Sequence, residues 1–303
     1  LSCAPRGIDP PCPACREGQY SICHNFARGA LPPGIHTGNS SKATGGFAPH
    51  VPAHESMCIA VPDAVSDEEA VLADPFSVSL HGFLKRRPAP GATALVYGCG
   101  TLGLIAIAIL RALAPTTRVV AIARFPHQKA LAERFGAALV LPHEPLVPLI
   151  ERIAAETGAQ LMRPWHGAPW LHGGGVSVVY DTVGFPETVE VGIRVAAPRA
   201  SVVVTGVESP KRFEWTPLYF KEIEVVGSNA FGVEEFEGRR RHAMEIYFDL
   251  VASGRIDVTP VITHRFTLDD YRRAFLACAE QGASGAVKVL FTYGDGGTGG
   301  GRH

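Results

Sequence analysis

The strongest constraint on the fold is a glycine-rich turn between an apolar strand and an apolar helix. Ala94–Tyr97 is wholly apolar and predicts a buried strand, whereas Thr101–Leu113 has helical spacing. Between them, the segment from Gly98 to Gly103 carries glycines at its first, third and sixth positions. A strand that enters a helix through so short a turn opens a βαβ unit, which commits this part of the chain to a parallel sheet.

The alternation of strands and helices continues to about residue 228. The predicted strands are Ala94–Tyr97, Arg118–Ala123, Ala138–Leu141, Val176–Thr182, Ser201–Gly206 and Glu222–Val226. The helices predicted between them are Thr101–Leu113, Gln128–Phe135, Leu146–Glu156 and Pro186–Val195. Six such strands make a complete doubly wound α/β sheet of the Rossmann type.

Two other stretches are predicted with less regular patterns. Met162–Gly175 holds two tryptophans between prolines and glycines, and is predicted to be a surface loop that is either an oligomer contact or a packed irregular loop. The remainder is predicted as the helix Arg239–Ser253, the strand Val261–Phe266, the helix Leu268–Ala279, the strand Ala286–Phe291 and a disordered glycine-rich tail over residues 294–303.

The turn has the pattern of a dinucleotide site. Gly98 would permit the tight turn, Gly100 would let the backbone approach a pyrophosphate, and Gly103 would allow close packing of helix on strand. The pyrophosphate would lie at the helix N-terminus, beside Thr101 and Leu102. The alternative is a glycine-rich turn that binds no ligand.

The end of the second strand bears on the choice between NAD and NADP. An acidic residue there would accept hydrogen bonds from the adenosine ribose, but this position holds Ala123, followed by Arg124. A guanidinium suits a 2'-phosphate, which favours NADP(H). The alternative is that Arg124 is a solvated charge that stacks on adenine, in which case NAD is the cofactor.

A cysteine-rich loop near the start predicts a metal site. Cys12, Cys15 and Cys23 have two-residue and seven-residue intervals that can wrap one tetrahedral Zn²⁺. The fourth ligand is open between the Asp9 carboxylate and the Cys3 thiolate. Four filled positions leave no room for water, so this zinc would be structural.

Composition narrows the class of protein. The chain has 303 residues, which favours two domains, and a net charge of -1, which removes the electrostatic argument for nucleic acid or an anionic membrane as partner. A small-molecule substrate is expected instead. The sequence predicts no secretory signal and no membrane span. The clustered cysteines favour metal binding in a reducing compartment, so the cytoplasm is the expected location. A start at Leu1 suggests a fragment.

Five motifs of the chain occur together in one known family: the cysteine loop, Gly45–Ala48, Asp74–Val78, the glycine turn and Val178–Gly184. In these motifs the chain resembles the zinc-dependent medium-chain dehydrogenases of the alcohol dehydrogenase superfamily, nearest the sorbitol and threonine dehydrogenase branch. The resemblance implies an oxidoreductase that exchanges a hydride between NAD(P) and an alcohol or carbonyl, usually as a dimer or tetramer. The implied division is a partial GroES-like catalytic domain over residues 1–86, a Rossmann domain over 87–255 and a return to the first domain over 256–293.

The resemblance also suggests roles for single residues. Asp74 matches a carboxylate near the catalytic zinc, although its alternative role is a helix N-terminal carboxylate. Val183 and the segment Thr205–Gly206–Val207 would lie beside the nicotinamide or serve only as core backbone. Lys288 matches a basic residue near the pyrophosphate, or is a solvated lysine.

The chain departs from the family pattern at the catalytic zinc. The other two protein ligands of that zinc lie upstream of the cysteine loop in the family, so this chain is expected to offer one of three ligands and to have weak or no activity. The alternatives are a catalytically impaired dinucleotide-binding protein and a zinc-free NADPH quinone-type reductase.

Overall fold

The computed structural model describes residues 2–34, 37–38, 40–43, 45–207 and 212–293. Its strands are β1 Thr93–Tyr97, β2 Arg118–Ala123, β3 Leu139–Pro142, β4 Gln160–Met162, β5 Trp170–His172, β6 Val176–Asp181, β7 Ala196–Val204, β8 Glu224–Gly227, β9 Val233–Phe236, β10 Arg239–His242, β11 Ile262–Thr267 and β12 Lys288–Thr292. Its α-helices are α1 Pro13–Arg16, α2 Asp67–Ala70, α3 Ala73–Lys85, α4 Thr101–Leu113, α5 Pro126–Arg134, α6 Leu146–Thr157, α7 Pro186–Val195, α8 Thr216–Phe220, α9 Ala243–Ala252, α10 Tyr271–Ala279 and α11 Gln281–Ser284.

The described residues form two compact units, and the larger contains Ser66–Ala230 and Asp249–Val261. Its centre is a parallel sheet with strand order β3-β2-β1-β6-β7-β8. The strand order reverses between β1 and β6, where Tyr97 pairs with both Ile122 and Asp181. Ligands of doubly wound sheets bind outside the carboxyl ends of the strands at such a reversal. The predicted six-stranded Rossmann-type sheet is confirmed.

The sheet strands are buried because both of their faces are covered. Leu95, Val120, Val179 and Val202 have no exposed side-chain surface, and helices α6 and α7 pack over them with Ile150, Ile153 and Val191 among others. Continuous apolar runs are typical of strands buried on both faces. The prediction that the fifth strand ends at Gly206 is wrong, because it ends at Val204 and the next residues form a close-packed loop.

The prediction of a loop over Met162–Gly175 is wrong in part. Residues 160–162 and 170–172 pair as the antiparallel hairpin β4–β5, with Leu161 opposite Leu171. Leu171 is fully buried in the core of the sheet, and Leu161 packs against the same core. Because both leucines lie on one face of the hairpin, that face packs against the core, and the loop prediction did not include such a face.

The smaller unit contains the described residues of Leu1–Val65, Phe231–Phe248 and Ile262–His303. It holds the antiparallel hairpin β9–β10 and the parallel pair β11–β12. The predicted helix Arg239–Ser253 begins only at Ala243, because residues 239–242 pair with β9 instead. The turn between β9 and β10 has positive φ at both Glu237 and Gly238, as a two-residue hairpin turn requires.

The first segment of the chain, where the resemblance implies a partial GroES-like β-rich domain, has little regular secondary structure in its described residues. Among the described residues before 87, β structure is limited to an isolated bridge between Ser40 and Ala43. Helix α3 belongs to the sheet-containing unit, whose boundary falls at Ser66. The predicted disordered tail at 294–303 lies outside the described residues. None of the helices that the structure describes has both the length and the apolar character needed to span a membrane.

Candidate functional site

The cysteine loop brings four thiols together. The sulfur atoms of Cys3, Cys12, Cys15 and Cys23 all lie within 4.8 Å of one another. Cys3, Cys12 and Cys23 are buried and Cys15 is partly buried. Asp9 is exposed and lies outside this group, so among the two candidates for a fourth ligand it is Cys3 whose sulfur lies with the other three.

The backbone of the loop directs hydrogen-bond donors at these sulfurs. The N–H of Cys12 donates to the Cys3 sulfur over 3.4 Å, and the N–H of Asn25 donates to the Cys23 sulfur over 3.4 Å. Burial opposes ionisation of Cys12, but hydrogen bonds from the backbone N–H groups of Cys15 and His24 outweigh it and hold its pKa at about 6. Burial raises the pKa of Cys15.

Taken together, these effects favour a bound cation. One thiolate forms readily, but burial opposes the negative charges of several thiolates within one cluster. Four converging sulfurs of this kind are the donor set of a tetrahedral structural zinc, and a divalent cation would offset the charge. In the parts of the chain that the structure describes, no other group of three or more Cys, His, Asp or Glu is placed to hold a metal.

A buried arginine that sequence reasoning missed holds the segment after the cysteine loop. The Arg6 guanidinium donates to the backbone carbonyls of Arg28, Leu31 and Pro32 over 3.0–3.2 Å, and to that of Gly34. Its side chain is fully buried. Because Arg6 lies three residues after Cys3, these bonds fix the backbone on which the fourth thiol depends.

The hairpin β9–β10 packs on the other side of the loop. The N–H of Val233 donates to the Gly18 carbonyl over 3.0 Å, and the Arg240 guanidinium donates to the Glu17 carbonyl over 2.7 Å. A Cβ at Gly232 would overlap the Gly18 carbonyl. The loop between Cys15 and Cys23 is therefore held by backbone contacts from a segment more than 200 residues later in the chain.

At the carboxyl end of β1 the glycine turn has the geometry of a phosphate cradle. Gly98 has φ of +91°, and a Cβ there would lie 2.5 Å from Val183 Cγ2. A Cβ at Gly103 would overlap the Gly98 carbonyl oxygen, so only glycine allows this approach of helix and strand. A Cβ at Gly100 would meet nothing within 4 Å, because this glycine faces open space at the N-terminus of α4.

The N-terminus of α4 lies beside the open space at Gly100, which is where a dinucleotide pyrophosphate binds in sheets of this type. The first turn of α4, which includes Thr101 and Leu102, carries the positive end of the helix dipole. The carbonyl of Leu102 accepts the Ser79 hydroxyl over 3.0 Å, which ties α4 to α3.

The loops after β6 and β7 meet beside the cradle. The Thr182 hydroxyl donates to the carbonyls of Tyr97 and Gly98 over 3.0 and 3.1 Å. A Cβ at Gly206 would overlap the backbone of Val183, so these two loops touch. Val207 follows with 91% of its surface exposed.

Buried Asp181 organises the first of these loops. One carboxylate oxygen accepts the N–H groups of Val183 and Gly184 over 3.0 Å each, and the other accepts the Thr188 hydroxyl over 2.8 Å. Burial raises the pKa of Asp181 although these three donors oppose the shift. The carboxylate thus positions backbone and does not face solvent.

Ala123 and Arg124 lie at the end of β2, as their positions in the sequence predict. Ala123 is buried, and Arg124 is exposed with its guanidinium carbon 5.2 Å from the centre of the Phe125 ring. The N–H of Arg124 donates to the Gln128 side-chain carbonyl over 3.2 Å. Because Arg124 directly follows β2, it lies at the carboxyl edge of the sheet, where the adenosine of a bound dinucleotide lies in this fold.

The remaining predicted residues are more dispersed. Asp74 is exposed in the first turn of α3, and the four-thiol group does not include it. A Cβ at Gly82 of the same helix would lie 2.9 Å from Thr205 Cγ2, so α3 also touches the loop after β7. Lys288 is partly buried on β12, in the smaller unit.

Comparisons with known proteins agree with this geometry. Residues 101–244 match the family model described as zinc-binding dehydrogenase. The chain is 27% identical to L-idonate 5-dehydrogenase of Vitis vinifera and 27% identical to sorbitol dehydrogenase of Arabidopsis thaliana, each over 283 residues that cover 92% of this chain and 69% of the relative. A candidate zinc-binding dehydrogenase of Sinorhizobium meliloti, solved with NADP bound, superposes with a TM-score of 0.69 at 26% identity and covers 93% of this chain and 73% of its own.

The six-stranded parallel sheet and the glycine turn are consistent with these matches to dehydrogenases. Residues 101–244 therefore resemble the zinc-binding dehydrogenases, and the chain over most of its length resembles the plant L-idonate and sorbitol dehydrogenases.

Proposed function

We propose that the chain binds NADP(H) in preference to NAD(H) and exchanges a hydride with a polyol or the matching carbonyl compound. The relatives named for idonate and sorbitol support a polyol substrate. The observation that carries the cofactor assignment is the pair at the end of β2, where a buried alanine replaces the expected carboxylate and an exposed guanidinium follows it.

The residues around the cradle would each have a distinct task. The first turn of α4 would bind the pyrophosphate through backbone N–H groups, and Arg124 would pair with the 2'-phosphate. Val183, Gly206 and Val207 would lie beside the nicotinamide, because the loops that carry them meet at the carboxyl edge of the sheet. The bound nicotinamide would supply the hydride donor or acceptor.

The four thiols Cys3, Cys12, Cys15 and Cys23 would hold one structural zinc, which keeps the loop folded. Asp74 is proposed as the carboxylate nearest the reacting centre, since its helix α3 touches both α4 and Thr205. Lys288 is proposed as a pyrophosphate contact. We also propose that copies of the chain associate and that the protein acts in the cytoplasm, where reduced thiols persist.

Binding measurements test this proposal without relying on activity. Fluorescence titration should give a dissociation constant for NADPH at least about tenfold below that for NADH, and metal analysis should find about one zinc per chain. Oxidation of polyols by NADP⁺ should exceed oxidation of simple alcohols. Equal affinity for the two cofactors would return the assignment to NAD, and a chain without zinc would refute the structural role of the thiols.

A further inference from the structure

One surface of the sheet-containing unit concentrates exposed aromatic side chains. We call it the aromatic patch, and it comprises Met162, Trp165, Trp170, Trp215, Tyr219 and Phe220. All three tryptophans of the chain are among them. No step proposed for hydride transfer uses any of these residues.

Contacts between side chains join the β4–β5 hairpin to α8 within the patch. Met162 and Trp170 are cross-strand partners in the β4–β5 hairpin, so their side chains share its outer face. The Trp170 ring stacks on the Phe220 ring at 6.4 Å and an interplanar angle of 5°, and Tyr219 meets Phe220 edge-on at 5.3 Å. Trp215 lies one helical turn before Tyr219.

A buried arginine fixes the hairpin side of the patch. The Arg194 guanidinium donates to the Ala168 carbonyl in the turn of the hairpin over 2.6 Å. It also donates to carboxylate oxygens of Glu190 and Glu214 over 2.7 Å each. Because Glu214 directly precedes Trp215, one fully buried cation ties both edges of the patch to α7.

A buried lysine fixes the helix side. Lys221 directly follows α8, and its ammonium donates to the carbonyls of Ile193, Arg194 and Ala196 over 2.7–2.9 Å. At the other end of α8, the Glu214 carboxylate accepts the N–H of Thr216 over 2.6 Å. The aromatic side chains therefore stand on a backbone that is already ordered, which lowers the entropy cost of binding a partner.

The exposed area of the patch is large for a surface without a partner. Trp165 is 99% exposed, Tyr219 is 72% exposed, and Trp215 and Phe220 are each 62% exposed. With about 200 Å² for one large aromatic side chain, these four alone present about 600 Å². This equals the largest apolar patch of a typical monomer and approaches the ~800 Å² per partner of a stable interface.

The charges near the patch indicate what covers it. The carboxylate of Glu214 is paired with Arg194, and the Arg163 guanidinium in the hairpin is paired with Glu151 over 2.5 Å. These two ion pairs leave little unpaired charge in the hairpin, which weakens any attraction for nucleic acid or an anionic membrane. Aromatic rings stack or meet edge-on with other aromatic rings, so two copies of one patch related by a two-fold axis complement each other.

We infer that the aromatic patch is the surface through which two copies of this chain associate. The inference deepens the proposal that the protein is an oligomer and rests on it. In each copy, Trp165 in the turn of the β4–β5 hairpin would reach across the two-fold axis toward α8 of the other copy. The centre of the interface would be formed by Trp165, Trp215, Tyr219 and Phe220 of both copies.

Sedimentation velocity over about a hundredfold range of concentration tests the inference. The parent chain should associate, and the double variant Tyr219→Asp/Phe220→Asp should raise the dissociation constant of the dimer at least about a hundredfold, because like charges would face each other in an apolar centre. Leu276→Asp is the matched control, since it places the same charge at an exposed apolar position of α10 in the other unit and should leave association unchanged.

Tryptophan emission gives a second readout, because every tryptophan of the chain lies in the patch. Emission of the parent should shift to shorter wavelength as concentration rises, and that shift should be absent from the double variant. Trp165→Ser covers the case in which the double variant fails to fold, because a fully exposed turn residue supports no core contact, and it should also weaken association.

The possible failures are distinguishable. A parent that stays monomeric would overturn both the proposed association and the patch. A double variant that associates as tightly as the parent, or a Leu276→Asp variant that dissociates equally, would overturn the patch alone. NADPH affinity should be the same in all four proteins, so a failure of the cofactor assignment would be seen independently.

Discussion

Gly100 and Gly103 occupy one turn but should respond to substitution in opposite ways. At Gly100 φ is -79°, which any residue adopts, and an added Cβ meets no protein atom within 4 Å. Gly100→Val should therefore cost about 1 kcal/mol of stability or less, the difference between glycine and valine at a helix N-cap. At Gly103 an added Cβ overlaps the Gly98 carbonyl oxygen, so Gly103→Ala forces the helix and strand apart.

Ligand binding should show the reverse pattern. The valine side chain of Gly100→Val would fill the space beside the N-terminus of α4 and keep the pyrophosphate from its N–H donors. Loss of two such charge-assisted hydrogen bonds costs about 3 kcal/mol or more, which corresponds to a loss in NADPH affinity of more than about a hundredfold. In Gly103→Ala, overpacking should cost about 1 to 3 kcal/mol of stability. The better helix propensity of alanine should offset up to about 1 kcal/mol of that cost.

Thermal denaturation and fluorescence titration with NADPH, carried out on both variants and the parent, separate the two effects. Gly100→Val should melt within a few degrees of the parent and bind no cofactor at concentrations that saturate the parent. If Gly100→Val binds NADPH as tightly as the parent, the space beside Gly100 is not the pyrophosphate site. If it unfolds as readily as Gly103→Ala, the assignment of that space as open is wrong.

Three further predictions concern the thiols, the cofactor and a buried amine. Cys15→Ser should release zinc and lower the melting temperature, whereas Cys58→Ser, at an exposed thiol outside the cluster, should do neither; equal zinc content in both variants would contradict the site. Arg124→Ala should weaken NADPH binding by about 1.5 to 3 kcal/mol at fixed salt and leave NADH unchanged, and an equal loss for both cofactors would show that Arg124 does not select. Burial and the nearby Arg194 lower the pKa of Lys221 from 10.5 to about 7. Between these two pH values the unfolded chain binds more protons than the folded chain. The free energy of unfolding of the parent, relative to that of Lys221→Met, should therefore rise as the pH rises from about 7 to about 10.5. Denaturant unfolding at several pH values measures this difference, and a pH-independent value would argue against the lowered pKa.

The parts of the fold that the sequence predicts well are those determined by local pattern. The strand, turn and helix around Gly98 need only residues within about 20 positions of one another, and α4 has the predicted bounds. The apolar strands of the sheet are similarly identified by their own composition, because burial on both faces leaves no polar positions. Prediction was weaker where pairing depends on distant residues, as at Arg239–His242, where a hairpin replaces the first turn of the expected helix.

The fourth thiol and the aromatic patch show why the rest could not be predicted. Sequence spacing alone could not choose between Asp9 and Cys3, because the choice depends on how the eight-residue interval from Cys3 to Cys12 folds back. That path is fixed by a buried Arg6 bonded to carbonyls more than 20 residues later. Arg194 and Lys221 act in the same way beneath α8, where each bonds to carbonyls of the backbone.

In the sequence such residues look like ordinary solvated cations, because their burial results from the fold and leaves no trace in local periodicity. A charged side chain that donates hydrogen bonds to several backbone carbonyls stabilises a segment that has too few buried apolar residues to be stabilised by packing alone. The cysteine loop and helix α8 are both short and poor in buried apolar side chains, and both carry a proposed function. The position of a buried cation therefore indicates which short segments of this fold are supported by hydrogen bonds to their backbone carbonyls, in addition to any ligand or partner that they bind.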